Sequence, residues 1–172
     1  MSKQVTFRDN SDEIMSLFSA AKHRGLEAIG MSAERHAKQN LRDHVDTGRL
    51  RNSITYAVSG YKTHVKDYRQ AKVAGGAGEK HPSYEYADQA MEGNKDDAVY
   101  IGTNVGYGKW VELGTGIYAS DGQGRQEPWA FQDDQGNWHL TSGIKPVHFL
   151  KKAATEHGEE YGGLMENSME NA

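Results

Sequence analysis

The most regular hydrophobic pattern of the chain lies between residues 12 and 43. Apolar side chains and one histidine recur there at spacings of three and four residues, and the other side carries mixed charges. This spacing predicts one long amphipathic helix. Asn10 or Ser11 can cap its first amides, and Gly25 and Gly30 indicate a bend or a close backbone contact. The apolar stripe comprises Ile14, Leu17, Phe18, Ala21, Ala28, Ile29, Ala33, His36, Ala37 and Leu41.

Two short strands are predicted after this helix. Residues 46–48 read Asp-Thr-Gly, which favours a turn. Apolar or aromatic side chains then fall on even positions, which predicts a turn leading into a strand. A second strand is predicted at 98–103, with Val99 and Ile101 on one side. The even positions of the first segment are Leu50, Ile54, Tyr56 and Val58.

A β-hairpin is predicted further along the chain. Residues 129–131 and 138–140 are rich in aromatic and apolar side chains, and the turn-forming residues 133–136 separate them. Apolar segments that face each other across such a turn are typical of a hairpin. Residues 107–113 are compatible with a short helical turn or with a strand, and both alternatives stay open.

A final helix and an acidic tail are predicted at the C-terminal end. Pro146 suits the first turn of a helix that continues through Phe149 and Leu150. Residues 156–172 hold five glutamates and neither lysine nor arginine. Such a charge pattern predicts a solvated, frayed tail.

Residues 60–95 differ in composition from the rest of the chain. Basic residues lie among glycines with few apolar anchors, which predicts a long, mobile, partly basic insertion. Tyrosines are interleaved with the basic residues of 61–81, a pattern that can bind nucleic acid. Because acidic residues dilute this charge, a solvated loop is the favoured interpretation and a nucleic-acid-binding module is the alternative. The basic candidates for partner contacts are Lys66, Arg69 and Lys72.

These elements predict an α+β fold in a single domain that spans residues 1–172. We expect the long N-terminal helix to pack on a small antiparallel β-sheet, followed by the inserted hairpin and a C-terminal helix. The strands are too few and too short for a doubly wound parallel sheet.

Composition narrows the class of protein further. Hydrophobic residues make up 36% of the chain and the mean hydropathy is -0.82, which favours a small core with polar loops over a compact enzyme. The net charge of -4 gives no general attraction to nucleic acid or acidic lipid. The lack of cysteine excludes disulfides and thiolate metal sites. With no apolar signal core and no run of about 20 apolar residues, we expect a cytoplasmic product that contacts no membrane.

Two glycine-rich segments match nucleotide-binding motifs only in part. Residues 114–119 fit the pattern GxGxxA, but that motif needs a helix after its glycines, and residues 120–124 cannot extend one. Residues 75–80 resemble a phosphate-binding loop, yet Lys80 is followed by His81 where serine or threonine is required. We therefore predict no nucleotide cofactor.

The histidines and hydroxyls give no recognisable reaction centre. None of the eight histidines forms an HExxH motif or an i, i+4 pair, so no metal site is predicted. His36 lies on the helix stripe and is interpreted as a core or interface histidine. His44, Asp46 and Ser53 are close in sequence, but a catalytic triad is defined by positions in space. We predict that the protein is not an enzyme and has no catalytic residue, cofactor or metal.

Three segments, in this order, carry a resemblance to a known family. They read VDTGRLRNSI at 45–54, VYIGTNVGYGKWVELGTG at 99–116 and IKPVHFLKKA at 144–153. Together with the leading helix, they resemble the tail-completion or head–tail joining proteins of long-tailed bacteriophages and prophages. Residues 117–143 resemble the hairpin insertion of one branch of that family. The matching positions are Asp46, Thr47, Gly48, Leu50, Ser53, Tyr107, Val111, Glu112, Gly114, Thr115, Pro146, Phe149 and Leu150.

The matching residues also have structural interpretations. Gly48 permits a turn that a side chain would strain, and Leu50 can enter the core after it. Glu112 can cap a helix or pair with a basic group, including one on a neighbouring subunit. Phe149 and Leu150 are expected to dock the last helix on the sheet. None of these roles is catalytic.

The resemblance implies a structural virion protein that completes the phage tail or joins it to the head. It implies a subunit of an oligomeric ring around the DNA channel, commonly with six copies. Such a ring contacts copies of itself and neighbouring tail-tube, tail-terminator or connector proteins, and meets phage DNA only through the channel. In such a ring, each copy contacts the next copy head-to-tail, and rotational symmetry closes the ring. Trp129 and Trp138 of the hairpin are further candidates for partner contacts.

Overall fold

The computed structural model describes residues 8–44, 48–58, 97–133 and 135–171. Several predictions fall outside these ranges, namely the insertion 60–95, its nucleic-acid alternative at 61–81, and the positions Asp46, Thr47, Lys66, Arg69 and Lys72.

The long helix predicted at 12–43 is present as α1, Ser11–Asn40. Its capping differs from the prediction, because neither Asn10 nor Ser11 caps it with a side chain. Instead, the Asp9 carboxylate accepts hydrogen bonds from the Ser11 hydroxyl at 2.6 Å and the Ser11 amide at 2.9 Å. These two bonds, the hydroxyl bond foremost, lower the pKa of Asp9. A 3₁₀ turn at Arg42–His44 follows α1.

The strands predicted after α1 form a two-stranded antiparallel sheet. Gly48 has a φ of 75°, a conformation that favours glycine, as predicted. The one-turn helix α2 (Arg49–Ser53) then leads into β1 (Ile54–Val58), so Leu50 belongs to a helix and not to the strand. α1 packs on this sheet. β2 (Val99–Thr103) completes it, in the register Ile54 opposite Thr103 through Val58 opposite Val99.

The second half of the chain adds a short helix and a second sheet. The open choice at 107–113 is resolved as helix α3, Gly108–Leu113. The predicted hairpin is confirmed as β3 (Trp129–Gln132) paired antiparallel with β4 (Trp138–Thr141). The described strands therefore form two separate two-stranded sheets within the predicted α+β class.

The core joins segments that are distant in sequence. Helix α4 (Phe149–Thr155) inserts the fully buried Phe149 between α1 and the first sheet. α4 begins later than predicted, because His148 occupies its N-cap position with a φ of 55°. Pro146 thus precedes the helix and does not open it. The buried cluster consists of Ala37, Leu41, Leu50, Ile54, Val105, Val147, Phe149 and Ala153.

The acidic C-terminal segment forms a packed helix, α5 (Gly158–Glu170), and the prediction of a frayed tail is wrong. α5 lies along α1. The Ser168 hydroxyl donates to the Ala21 carbonyl at 2.6 Å, and a Cβ on Gly25 would lie 2.6 Å from Sδ of Met165. The apolar residues of α5 lie on one face of the helix and are half-buried, namely Tyr161, Leu164, Met165 and Met169. Among the described helices, none has the length and apolar character to span a membrane.

The apolar stripe of α1 is buried along only part of its length. Gly30 sits so close to β1 that a Cβ there would lie 2.2 Å from Cδ2 of Tyr56, which confirms a close contact at this glycine. The first turns of α1 are different, because Ile14, Leu17 and Phe18 stay exposed. Together with Met169 they line an open apolar groove between α1 and α5, here called the helix-end groove.

Candidate assembly surface

Most described positions of the family pattern build the core and its supports. Leu50 and Phe149 are buried in one cluster, and Val111 and Leu150 pack against it. The Ser53 hydroxyl donates to the Leu50 carbonyl at 2.7 Å and also bonds to the Thr103 hydroxyl. Ser53 therefore ties α2 to the first sheet, a structural role.

Glu112 caps helix α4 from α3. Its two carboxylate oxygens accept hydrogen bonds from the backbone amides of Leu150, at 2.9 Å, and Lys151, at 3.0 Å. The Val147 amide also donates to the Val111 carbonyl at 2.9 Å. A carboxylate at the positive end of a helix satisfies amides that have no partner within the helix. The cap lies within one chain, so the interpretation of Glu112 as a link across a subunit boundary is not needed.

Replacing Glu112 by alanine is expected to lower the free energy of unfolding by about 1–2 kcal/mol, because two amides lose a charged acceptor. Urea denaturation followed by circular dichroism measures this loss. The matched control is Glu156→Ala at the other end of α4, where the side chain is exposed, with an expected change within about 0.5 kcal/mol. Equal losses in both variants would show that the cap contributes nothing.

The Gly-Thr-Gly sequence after α3 forms a backbone crossing with the segment after β4. The Thr115 amide donates to the Ile144 carbonyl at 2.9 Å, and the Ile144 amide donates to the Thr115 hydroxyl at 2.9 Å. Gly116 has a φ of 60°, and a Cβ there would lie 2.0 Å from the Ser142 carbonyl oxygen. The glycine is thus required by contact as well as by conformation. The crossing fixes the base of the hairpin against α3.

The turn of the hairpin is organised by Asp133. Its carboxylate accepts hydrogen bonds from the Gln135 amide at 2.9 Å, the Asn137 amide at 2.8 Å and the His139 ring at 2.8 Å. These bonds, that from His139 first, lower the pKa of Asp133 to about 2. Asp133 therefore stabilises the turn of the hairpin through hydrogen bonds to its charged carboxylate.

The depressed pKa of Asp133 predicts how the hairpin responds to acid. Because the folded pKa lies below the ordinary value of 3.8, the stabilising contribution is present above pH 3.8 and disappears as the pH falls through about 2. NMR titration of the Asp133 side-chain carbon should give a midpoint near 2. A midpoint near 3.8 would contradict the bonded turn. His139→Ala removes the largest cause and should move the midpoint upward.

The hairpin exposes apolar side chains on both faces. Trp138 and Leu140 are 71% and 78% exposed on one face. Phe131 is 46% exposed on the other, where it stacks on His139. Among the described elements, β3 and β4 pack chiefly against each other. We call Phe131, Trp138 and Leu140 the hairpin surface.

The candidate contacts predicted from sequence do not have equal access to a partner. Trp138 is open to solvent, whereas Trp129 is half-buried and has the Arg125 guanidinium 5.6 Å from its ring centroid. Tyr107 and Trp110 are also exposed, before and within α3. Sequence reasoning did not single out Leu140 or the helix-end groove, because their exposure depends on how the elements pack.

Two sequence patterns that relate to cofactor or catalytic chemistry, the GxGxxA segment and Ser53, lie in the described residues. The segment 114–119 that fits GxGxxA contains a 3₁₀ turn, Gly116–Tyr118, and the described residues 120–124 after it do not form the helix that a dinucleotide site requires. The Ser53 hydroxyl is bonded to the Leu50 carbonyl and the Thr103 hydroxyl. Asp46 lies outside the described residues.

Comparison with protein families gives one match, over residues 6–114, to the family described as "Bacteriophage HK97-gp10, putative tail-component". The match runs from the start of α1 to the end of α3 and covers more than half of the chain. It includes the segment 45–54 and nearly all of 99–116, and it ends before 144–153. No curated protein and no solved structure matches the chain. With its long helix, antiparallel strand pair and α3 all inside the matched range, the chain belongs to the HK97-gp10-like family of phage tail components.

Proposed function

We propose that this tail component completes the phage tail or joins it to the head, as a subunit of a closed ring around the DNA channel. The expected number of copies is six, and the expected location is the head–tail interface or the tail of the virion. The observation that carries the proposal is the hairpin surface, which displays Phe131, Trp138 and Leu140 to solvent.

An exposed hairpin of this kind favours a docking role. A two-stranded hairpin on its own is at best marginally stable in water. Large aromatic and aliphatic side chains on its faces are the residues that dominate binding energy when a partner buries them. The bonds of Asp133 and the crossing at Thr115 hold the hairpin in shape before any partner arrives. A preformed element loses little entropy when it docks.

A second apolar surface supports a head-to-tail arrangement. The helix-end groove is built from α1 and α5, whereas the hairpin follows α3. Two different apolar surfaces on one subunit suit a heterologous contact, in which one surface of each copy meets the other surface of the next. Such contacts give a ring if the rotation that relates one subunit to the next adds up to a full turn.

The proposed role requires packing against other chains and no reaction centre. Neighbouring copies would supply one set of contacts, and tail-tube, tail-terminator or connector proteins would supply the other. Phage DNA would be met only in the channel. Assembly would take place in the cytoplasm of the host bacterium.

Mass photometry of the full chain, alone and mixed with the tail-tube protein of the same phage, tests the ring. We expect a discrete species of six copies in at least one condition, and negative-stain images of it should show a central channel. A monomer under both conditions would contradict the proposal. A broad distribution of masses would also count against it, because closed symmetry gives one defined size.

A further inference from the structure

Two histidines and a glutamate come together where the first and last helices meet. His36 lies on α1, His157 precedes the first residue of α5, and Glu160 lies in the first turn of α5. One ligand atom from each of them lies within 4.8 Å of the others. His36 and His157 are far apart in sequence, so the spacing of the histidines could not reveal this cluster.

The side chains of this cluster are held in place by their neighbours. Nε2 of His36 lies 2.8 Å from Oε2 of Glu160, and the rings of His36 and His157 stack with centroids 3.4 Å apart. Oε1 of Glu160 accepts hydrogen bonds from the Ser32 hydroxyl and, at 2.8 Å, from the Arg35 guanidinium. The Ser32 bond, followed by that of His36, lowers the pKa of Glu160.

We propose that His36, His157 and Glu160 form a binding site for a divalent transition-metal ion of the Zn²⁺ class. Two imidazole nitrogens and one carboxylate oxygen form a ligand set that suits Zn²⁺-class ions better than it suits Mg²⁺ or Ca²⁺, which prefer oxygen ligands. Three protein ligands leave a fourth position for water. Ser32 and Arg35 already orient the carboxylate, as outer-shell partners do in metal sites.

Metal binding changes the local geometry in a defined way. The ion replaces the hydrogen bond between His36 and Glu160, and the two imidazole rings rotate out of their stack so that their lone pairs converge. Because His36 belongs to α1 and the other two ligands to the start of α5, the ion clamps the C-terminal helix onto the first helix. Because the ion binds the folded chain, the free energy of unfolding rises with the logarithm of the free metal concentration once that concentration exceeds the Kd.

Titration of the full chain with ZnCl₂ in a calorimeter, and with CoCl₂ followed by visible absorption, tests this site. We expect one ion per chain, cobalt ligand-field bands typical of low coordination, and a rise in Tm with Zn²⁺. His157→Ala and Glu160→Gln should each weaken Zn²⁺ binding by more than about 100-fold, since loss of an outer-shell partner alone costs roughly 10–100-fold.

His139→Ala is the matched control, because the His139 ring also lies 2.8 Å from a carboxylate oxygen, that of Asp133, outside the three-ligand cluster. It should retain wild-type affinity. Glu160→Gln keeps the size of the side chain and one oxygen that can accept from Ser32 and Arg35, so it remains informative if His157→Ala loosens α5 in circular dichroism. The absence of stoichiometric binding, binding that survives both site variants, or an equal loss in His139→Ala would overturn the proposal.

Discussion

Replacement of Phe149 by alanine is expected to lower the free energy of unfolding by about 3–5 kcal/mol. Phe149 is the largest of the fully buried side chains and lies in the cluster that contains Leu41 and Ile54. Its ring, which extends from α4, belongs to the same buried cluster as residues of α1 and the first sheet. Its loss therefore leaves a cavity that no single element can fill. Urea denaturation monitored by circular dichroism measures the change.

Phe131→Ala is the matched control for this prediction, since the same atoms are removed from the 46% exposed residue of the hairpin surface. Its expected cost is below about 1 kcal/mol. Comparable losses in the two variants would mean that the core does not depend on Phe149. A loss larger in Phe131→Ala would place the stabilising contacts in the hairpin and contradict the described packing.

Substitution of Trp138 and Leu140 by serine is expected to weaken association of the subunits by more than about 100-fold while the free energy of unfolding changes little. Truncation of one anchor at the centre of an interface commonly costs about 2 kcal/mol or more, which is roughly a 30-fold loss of affinity. Both side chains point away from the rest of the described chain, so their removal opens no cavity in the core. Mass photometry at a series of concentrations measures the loss.

Met31→Ser provides the control for the hairpin variant. Met31 is an apolar residue on α1 that is 57% exposed and lies outside both apolar surfaces. Its replacement should leave the assembled species intact. If the hairpin variant still assembles as the wild type does, or if Met31→Ser disrupts assembly to the same degree, the hairpin surface is not the contact.

The elements that could be predicted from sequence are those with local signals. α1 has an apolar periodicity that extends over many turns. The hairpin has turn-forming residues at 133–136 between two apolar segments. Both elements can therefore be located without knowledge of tertiary contacts. Gly48 could be assigned to a turn with positive φ and Gly30 to a close backbone contact, because glycine has no side chain to clash in either place. The α+β class followed from the order of these elements.

The predictions that failed depend on contacts between distant segments. α5 is acidic, but it also carries an apolar face that the prediction of a frayed tail left out of account, formed by Tyr161, Leu164, Met165 and Met169. This face packs on α1, where Met165 lies against Gly25 and Ser168 bonds to Ala21. The late start of α4 depends on Glu112, which supplies its cap from another helix. Glu112 is expected from the sequence to cap a helix or pair with a basic group, but the identity of the helix that it caps follows only from the packing of α3 beside α4.

The candidate surface was predictable only in part, for the same reason. The aromatic residues of the hairpin predict Trp129 and Trp138 as contacts, but only Trp138, at 71% exposure, is open to solvent. Trp129 is half-buried, with the Arg125 guanidinium 5.6 Å from its ring centroid. The sequence pattern places Ile14, Leu17 and Phe18 on the same apolar stripe of α1 as residues that are buried. Their exposure depends on tertiary packing, because Met169 of α5 lines the groove with them and still leaves them exposed.

The central claim is that the hairpin surface joins this protein to its neighbours in the tail, and photo-crosslinking in assembled particles tests it most directly. A photoreactive phenylalanine analogue is placed at Trp138, with Met31 as the control position, and particles are irradiated after assembly. We predict that position 138 forms adducts with a second copy or with a neighbouring tail protein, while position 31 forms few. Assembled particles in which position 138 forms no intermolecular adduct would contradict the claim.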